Sequence, residues 1–321
     1  MNKRVGVLMG GPSSERDISI RSGRAVCQAL KNSRINAVPV ELIKASTMNG
    51  YKELVMKKIR SSHIDIAFIT LHGEFGEDGT IQKILEEMDI PYTGSGIDAS
   101  RLGMDKISSR KVFKLNNIPI PRYKVIVQGE ALDSSVSANS TTSAKAYFKK
   151  LGSPLVIKPS NGGSSIGLSI VDSERYFTKA LSKAFRYSHN VIIEQYIRGR
   201  EITVGILEDR ALPIVEIIPK RRFFDFEAKY EKGITEYIVP AEIDKTRYEA
   251  CQSTALLAHR ALGARFFSRV DMILSQDGHP VVLELNTIPG LTEASLLPKA
   301  AEATGIDFNQ LVFKILESAL W

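Results

Sequence analysis

The chain of 321 residues is poor in cysteine and has no long apolar run. Its two cysteines, Cys27 and Cys251, are too few for a disulfide framework, which favours a reducing, cytoplasmic environment. No segment approaches the roughly 18 apolar residues of a membrane helix, and the apolar run near the N-terminus is too short for a signal peptide. We therefore expect a cytoplasmic protein with no membrane partner.

Two familiar phosphate-binding loops are also missing. The chain has no Walker A pattern, and its nearest approach to a dinucleotide-binding fingerprint, "GSGIDA" at 94–99, is better explained as a turn. The net charge of +7 raises the possibility of nucleic-acid binding, but the basic residues are scattered apart from "PKRRFF" at 219–224. An anionic small substrate explains this charge equally well, and we expect no nucleic-acid partner.

A different glycine-rich stretch is present, "KPSNGGSSIG" at 158–167. The flanking segments "PLVIK" and "GLSIV" are rich in β-branched residues and predict two antiparallel strands. The loop between them can bring backbone N–H groups close to a phosphate, because glycine permits such an approach. The alternative is an ordinary surface hairpin.

Strand and helix patterns alternate over residues 1–100, which predicts a doubly wound parallel sheet. "RVGVLMGG", "NAVPVEL" and "IDIAFITLHG" predict strands, the last ending at His72, and Ser14 with Asp17 predicts a capped helix start with Glu15 in its first turn. Ligands of such sheets bind at the carboxyl ends of the strands. The residues that fall there are Gly10, Gly11, Glu15, His72 and Gly73.

The pattern changes after residue 102 to mixed helices and antiparallel strands. We expect three parts, with divisions 1–101, 102–185 and 186–321. Residues 219–240 are charged, aromatic and too long for a simple connection, which favours a lid. The Ser/Thr-rich stretch 130–145 carries no functional signal.

The segment "FFSRVDMILSQDGHPVVLELN" predicts a hairpin with a two-residue turn at Asp277-Gly278. In that register Asp271 faces Glu284, and Arg269 faces Asn286. Two facing carboxylates destabilise a hairpin unless they are neutralised or spread apart in solvent. A raised pKa of one carboxyl group or a bound cation would neutralise the pair. If a cation binds, the oxygen ligands favour Mg²⁺ or Mn²⁺. A shifted register would remove the argument.

Several motifs occur in order along the chain, namely "GGPSSERDIS", "LHGEFGEDGTIQ", "PYTGSG", "MDK", "IKPSNGGSSIG", "GREITVGIL", "FEAKY", "SRVDMIL" and "ELNTIPGLTEASLLP". Together they make the chain resemble the D-alanine–D-alanine ligase family of the ATP-grasp enzymes. The resemblance spans nearly the whole chain. It implies an N-terminal doubly wound α/β domain, followed by two α+β subdomains that hold ATP between antiparallel sheets.

The resemblance also implies the reaction. ATP phosphorylates the carboxylate of one D-alanine, and the amine of a second D-alanine displaces phosphate from this acyl phosphate, giving D-alanyl-D-alanine and ADP for peptidoglycan synthesis. The implied cofactors are ATP and two Mg²⁺ (or Mn²⁺) ions, and the implied assembly is a homodimer. Open alternatives are another ATP-grasp ligase, such as a D-alanine–D-lactate ligase, a nucleotide-binding regulator without catalysis, and a basic nucleic-acid-binding protein.

The family's functional residues are carried over by position. For ATP they are Lys106, Lys158, Ser164, Ser165, Glu194, Glu201 and Lys229, and for the metal they are Asp271, Glu284 and Asn286. For the two D-alanines and their reaction they are Glu15, His72, Ser164, Tyr230, Arg269, Gly290, Ser295 and Leu296. In this scheme Glu15 holds the first ammonium, and Arg269 with the N–H of Gly290 stabilises the oxyanion. Ser295 and Leu296 take the second carboxylate, and Glu15, Ser164 and Tyr230 form a hydrogen-bonded set that closes the lid.

Overall fold

The computed structural model describes residues 3–44, 50–129, 141–163, 165–219 and 235–320. Ser164, Lys229 and Tyr230, which the resemblance places in the site, lie outside these ranges, as do most of the predicted lid and of the stretch 130–145. Among the described residues, no helix combines the length and apolar composition that a membrane crossing requires.

The N-terminal part is a parallel three-stranded sheet in the order β2-β1-β3. Its strands are β1 (Val5–Gly10), β2 (Ala37–Leu42) and β3 (Ile66–Ile69), and they alternate with the helices Arg16–Asn32, Tyr51–Ser61 and Thr80–Glu87. All six residues of β1 are buried, as expected for a central strand covered on both faces. The predicted doubly wound sheet is confirmed.

Two boundaries in this part differ from the prediction. The first helix begins at Arg16, and Glu15 occupies the N-cap position without a capping hydrogen bond from its side chain. The predicted start at Ser14 was therefore wrong, and Glu15 lies just before the first turn. Strand β3 ends at Ile69 rather than at His72, which leaves His72 in the following loop. Glu15 and His72 therefore both lie outside helix and strand, near the carboxyl edge of the sheet.

A four-stranded antiparallel sheet in the order β4-β7-β5-β6 follows. Its strands are β4 (Tyr123–Val127), β5 (Leu155–Pro159), β6 (Ser169–Val171) and β7 (Asn190–Gln195), accompanied by the helices Ile97–Met104, Lys106–Leu115, Thr141–Leu151 and Phe177–Phe185. The strands β5 and β6 are antiparallel neighbours, which confirms the predicted strands on either side of the glycine-rich loop. Because β7 belongs to this sheet, the predicted division at residue 185 falls before its last strand.

The third sheet is antiparallel, with the order β11-β10-β8-β12-β13 and a short β9 beside β8. Its strands are β8 (Gly199–Leu207), β9 (Arg210–Ala211), β10 (Val215–Pro219), β11 (Thr235–Ile238), β12 (Phe267–Ser275) and β13 (Pro280–Asn286). The helices of this part are Lys245–Ala261, Leu296–Glu302 and Phe308–Glu317. Residues 235–238, which we expected within a lid loop, instead form an edge strand paired with β10.

The two faces of this third sheet have different roles. One face carries Ile202, Val204, Val270 and Met272 into a core with the helix Lys245–Ala261. The opposite face packs Leu207, Val215 and Phe267 against the N-terminal part and the last two helices. Glu201, Thr203, Arg269 and Asp271 lie along this second face, as the alternation of strand residues requires. The polar row is thus directed to the space between the sheets.

Candidate active site

A cleft of about 900 Å³ lies between the second and third sheets. Its lining includes Lys106, Lys158, Ser165, Glu194, Glu201, Asp271 and Glu284, which are predicted nucleotide or metal residues from four separate parts of the chain. The glycine-rich loop contributes Gly162, Gly163 and Gly167. The apolar side chains of Ile217, Ile273 and Leu283 complete the wall. A cleft with apolar walls, two lysines and a carboxylate pair suits a flat ring joined to polyphosphate.

Lys106 connects the glycine-rich loop to the third sheet. It is the first residue of the helix Lys106–Leu115, which Asp105 caps by accepting the N–H of Ile107. Its ammonium group donates to the carbonyl oxygen of Gly162 at 2.7 Å and lies 3.1 Å from Glu284 Oε2. A single cation therefore contacts both the loop and a predicted metal ligand, at the place where a phosphate would bring further negative charge.

Lys158 forms an ion pair with Glu194. The two lie on the neighbouring strands β5 and β7, with Lys158 Nζ 2.8 Å from Glu194 Oε1. Arg110 contacts the other carboxylate oxygen of Glu194. Burial lowers the pKa of Lys158, and the Glu194 charge opposes that shift. Sequence reasoning missed Arg110, although its position one helical turn after Lys106 was a usable signal.

Asp271 and Glu284 face each other on β12 and β13, and Arg269 faces Asn286. The predicted register is confirmed at these positions. Arg269 makes two 2.8 Å hydrogen bonds to the carboxylate of Asp271, which also accepts from Asn286 Nδ2 at 3.1 Å and from Thr203 Oγ1 at 2.6 Å. The positive charges of Arg269 and Lys106 thus offset the repulsion between the two facing carboxylates. The sequence suggested a raised pKa or a bound metal ion for this purpose and did not suggest these side chains.

The predicted hairpin turn was wrong. Gly278 N–H donates to the Ser275 carbonyl, Ser275 N–H donates to that of His279, and only Gly278 has a positive φ in the turn. The loop is therefore the three residues Gln276, Asp277 and Gly278, a type I turn followed by a left-handed glycine. A β-bulge between the Asp271 and Met272 pairs, which leaves Leu283 without a partner, restores the register that the longer loop displaces.

The predicted metal ligands have the chemistry that Mg²⁺ prefers. Asp271 and Glu284 supply carboxylate oxygens and Asn286 an amide oxygen, all hard ligands. Within the described residues, no group of three or more His, Cys, Asp or Glu side chains could hold a metal ion. Mg²⁺ commonly binds through one or two carboxylates plus substrate phosphates and water, so a pair of carboxylates beside a phosphate cleft matches its preference.

A second cluster lies where the first sheet meets the loop 287–295. His72 is buried, with Nδ1 3.2 Å from the carbonyl of Ile288 and Nε2 3.1 Å from Ser22 Oγ. Burial lowers the pKa of His72, so the ring is neutral, with Nδ1–H donating to Ile288 and Nε2 accepting from Ser22. Ser22 Oγ in turn accepts the N–H of Leu291 at 3.4 Å. These contacts attach the N-terminal sheet to the loop that carries Gly290.

Glu15 lies at the boundary between this cluster and the glycine-rich loop. A methyl group placed on Gly163 would come within 3.1 Å of Glu15 Oε2, so loop and carboxylate are in contact. Glu77, which sequence reasoning did not select from "LHGEFGEDG", accepts the Gly73 N–H at 2.6 Å. Burial and the Glu15 charge raise the pKa of Glu77 to about 8. This part of the site therefore contains two carboxyl groups, those of Glu15 and Glu77, near the neutral ring of His72.

Ser295 precedes the helix Leu296–Glu302 as its N-cap residue. Its hydroxyl accepts the N–H of Thr292 at 3.1 Å, and a methyl group on Gly290 would lie 3.2 Å from it. The structure thus brings Gly290, Ser295 and Leu296 together, in the loop that His72 contacts and at the helix start that follows it. Of the predicted site residues, only Ser164, Lys229 and Tyr230 are outside the described chain.

Two antiparallel sheets from successive parts of one chain, enclosing a cleft with two lysines and a carboxylate pair, define an enzyme of the ATP-grasp class. The D-ala D-ala ligase C-terminus family model matches residues 112–317, and the N-terminus model matches 4–53 and 43–95. The chain belongs to the D-alanine–D-alanine ligase family.

Similar proteins agree over the full length. The chain is 43% identical to the D-alanine–D-alanine ligase of Geotalea uraniireducens, covering 99% of this chain and 96% of that one. It is 44% identical to the ligase of Geobacter sulfurreducens, with 98% and 94% covered. The crystal structure of the Bacillus anthracis ligase complexed with ATP superposes with a TM-score of 0.82 at 35% identity, covering 99% and 97%.

A second solved structure limits what the fold alone determines. VanG, a D-Ala:D-Ser ligase from Enterococcus faecalis, superposes with a TM-score of 0.80 at 27% identity and covers 99% of this chain and 100% of its own. The same architecture therefore accommodates a different second substrate. The choice of second substrate depends on side chains rather than on the fold.

Proposed function

We propose that this chain joins two D-alanine molecules into D-alanyl-D-alanine, with conversion of ATP to ADP and phosphate, as a step in peptidoglycan synthesis. The observation that carries the proposal is the position of Asp271 and Glu284, facing each other beside Lys106 in a cleft that Lys158 also lines. A carboxylate pair next to lysines suits Mg²⁺ and polyphosphate together. The cofactors are ATP and Mg²⁺, with Mn²⁺ as a substitute.

In the first step, a carboxylate oxygen of one D-alanine attacks the γ-phosphorus of ATP, and the bond from phosphorus to the ADP oxygen breaks. Lys106 and Lys158 bind the phosphate oxygens and offset their charge. Asp271, Glu284 and Asn286 would hold Mg²⁺, which would supply further positive charge to the phosphates. Glu15 pairs with the ammonium of this D-alanine, beside the neutral His72.

In the second step, the free amine of the other D-alanine attacks the acyl carbon. The tetrahedral intermediate then expels phosphate as the C–O bond to it breaks, and the positively charged nitrogen gives one proton to water, which leaves a neutral amide. Arg269 and the Gly290 N–H stabilise the developing oxyanion. Arg269 lies on the same face of the third sheet as Asp271. Ser295 and the N–H of Leu296 orient the carboxylate of this second D-alanine. The glycine-rich loop covers the phosphates, and Ser164, Lys229 and Tyr230 complete that cover.

A coupled assay of ADP release tests the function. D-Alanine with ATP and Mg²⁺ should release ADP and give a dipeptide identifiable by mass, whereas L-alanine should not. Supplying D-serine or D-lactate as competing second substrates measures acceptor choice. A product mainly of D-alanyl-D-lactate would favour the alternative ligase, and no D-alanine-dependent ADP release would reject the proposal.

Three organisational proposals accompany this function. The chain works in the cytoplasm, where ATP is available, and functions as a homodimer. It divides into a substrate domain at 1–101 and two ATP-binding subdomains, with the second division after β7, near residue 195, rather than at the expected residue 185. Sedimentation of the purified protein tests the dimer, since a monomer at micromolar concentration would contradict it.

A further inference from the structure

Arg110 is a buried cation behind the wall of the nucleotide cleft, in contact with the lining residue Glu194, and none of the proposed reaction steps uses it. It lies in the helix Lys106–Leu115 and is only 1% exposed. Its guanidinium carbon lies 4.9 Å from the centre of the Tyr123 ring, and Nη2 contacts Glu194 Oε2. Among the residues that the structure describes, its Nε and Nη1 have no hydrogen-bond partner. A buried arginine with two unpartnered nitrogens is costly, which indicates a role that compensates for the cost.

Glu194 shares its two carboxylate oxygens between two cations. Oε1 lies 2.8 Å from Lys158 Nζ, and Oε2 contacts Arg110. Glu194 is 3% exposed and Lys158 is 8% exposed, so all three charged groups lie away from solvent. Away from water, a charged group is stable only beside a group of opposite charge. Here two cations share one carboxylate, so the three groups together carry a net positive charge.

Lys158 has a second partner when ATP binds. It lines the same cleft as the glycine-rich loop, where the phosphates are expected. To contact a phosphate, its ammonium must loosen its contact with Glu194. A Glu194 carboxylate held by Lys158 alone would then be left buried and unpaired, which is strongly unfavourable. The contact with Arg110 removes this obstacle, because it does not involve Lys158.

We propose that Arg110 is a positioning residue of the nucleotide site, which keeps Glu194 ionised and in place so that Lys158 can transfer from Glu194 to a phosphate of ATP. This inference rests on the proposed function, since it requires ATP in the cleft. Burial acts to raise the pKa of Glu194, but the charges of Arg110 and Lys158 hold it below its ordinary value. Of the two cations, Arg110 lowers the pKa of Glu194 more than Lys158 does.

Arginine suits this role better than lysine. Its planar guanidinium group lies over the Tyr123 ring and retains its charge when buried, whereas a buried lysine readily loses its proton. Tyr123 faces Glu194 on the adjacent strand β4, so the aromatic ring and the carboxylate both fix the guanidinium plane. We expect an Arg110→Lys enzyme to keep part of the function and an Arg110→Met enzyme to lose it.

The test compares Arg110→Met, Arg110→Lys and a control, Lys114→Met, which removes one positive charge from an exposed position of the same helix. The measurements are the equilibrium Kd for ATP, the KM for ATP and for D-alanine, kcat, and the melting midpoint. Arg110→Met should raise the Kd and KM for ATP roughly tenfold or more, as expected for breaking a buried charge pair. It should leave the KM for D-alanine nearly unchanged and lower kcat less than it raises the KM for ATP. Arg110→Lys should fall between Arg110→Met and the wild type, and Lys114→Met should match the wild type.

A double-mutant comparison separates positioning from simple structural support. If Arg110 acts through Glu194, adding Arg110→Met to a Glu194→Gln enzyme should cause little further rise in the KM for ATP. An unchanged KM for ATP in Arg110→Met, with only a lower melting midpoint, overturns the inference. So does an equal rise with and without Glu194→Gln. If Arg110→Met does not fold, Arg110→Lys decides, and a wild-type KM for ATP in that variant overturns the inference. Failure of the wild-type chain to bind ATP would instead reject the proposed function.

Discussion

Asp271 and Glu284 lie opposite each other on β12 and β13 although the loop between these strands is one residue longer than the sequence predicts. The bulge at Leu283 compensates for the longer loop, and Leu283 itself lines the nucleotide cleft. Bulges commonly redirect a side chain next to an active site, and this one aligns the carboxylate pair while adding an apolar contact to the cleft wall.

Loss of the Glu284 charge should weaken metal binding. A Glu284→Gln enzyme should need more Mg²⁺ and turn over more slowly by on the order of 100-fold or more, because a neutral amide is a poorer ligand for a hard cation. Initial rates measured against free Mg²⁺ give both quantities. Glu302→Gln changes an exposed carboxylate in the same part of the chain and serves as the control. Near-normal activity of Glu284→Gln at low Mg²⁺ would reject the metal assignment.

Arg269 should be irreplaceable by lysine. Its two hydrogen bonds to Asp271 depend on the planar guanidinium fork, which lysine cannot reproduce. We expect Arg269→Lys to lower kcat about 10²- to 10³-fold, the usual effect of removing an oxyanion donor, with a smaller change in the KM for ATP. Steady-state kinetics with each substrate varied separately measures this. A large rise in the KM for ATP with kcat unchanged would instead make Arg269 a nucleotide-binding residue.

Ser22 should support His72 without touching substrate. Removing its hydroxyl leaves the buried His72 Nε2 without its donor, which costs about 1–3 kcal/mol of unfolding free energy. Ser22→Ala should therefore unfold at lower denaturant concentration and show a raised KM for D-alanine. Ser253→Ala, at an exposed position of the helix Lys245–Ala261, is the control. Equal stability of Ser22→Ala and wild type would show that this hydrogen bond is unimportant.

Acid should destabilise the protein through its two buried histidines. Burial lowers the pKa of His72 and of His259 in the folded state, so each stays neutral while the unfolded chain takes up protons below pH ~6.5. Their stabilising effect is complete above that pH and is lost as the pH falls towards the folded-state pKa. Each histidine should lower the unfolding free energy by up to about 1.4 kcal/mol per pH unit in this window.

Denaturant unfolding at several pH values between 5 and 8 measures this slope. His259→Gln should make the dependence on pH shallower, because glutamine takes up no proton in either state, while its amide can still form hydrogen bonds near Ser268 and Asp209. His189→Gln, at an exposed position, should leave the slope unchanged. The same slope in His259→Gln and wild type would contradict the assignment.

The sequence by itself determined the repeating local patterns and the identities of the chemical groups. Strand–helix alternation predicted the parallel sheet of β1 to β3, and β-branched flanks predicted the strands β5 and β6. These features depend on neighbours close in the chain, so local spacing contains the information that specifies them. The pairing of Asp271 with Glu284 is different: it was predicted from a two-residue turn, and the structure preserves it through a longer loop and a bulge at Leu283.

Only the tertiary structure decided which distant residues share a charge. Arg110, Lys158 and Glu194 come from a helix and two strands, and their triad exists because the sheet packs against that helix. The raised pKa of Glu77 depends on burial and on Glu15, which belongs to another loop. Electrostatic effects of this kind depend on distance and solvent exclusion in the folded chain, and these are set by packing between elements that sequence spacing does not specify.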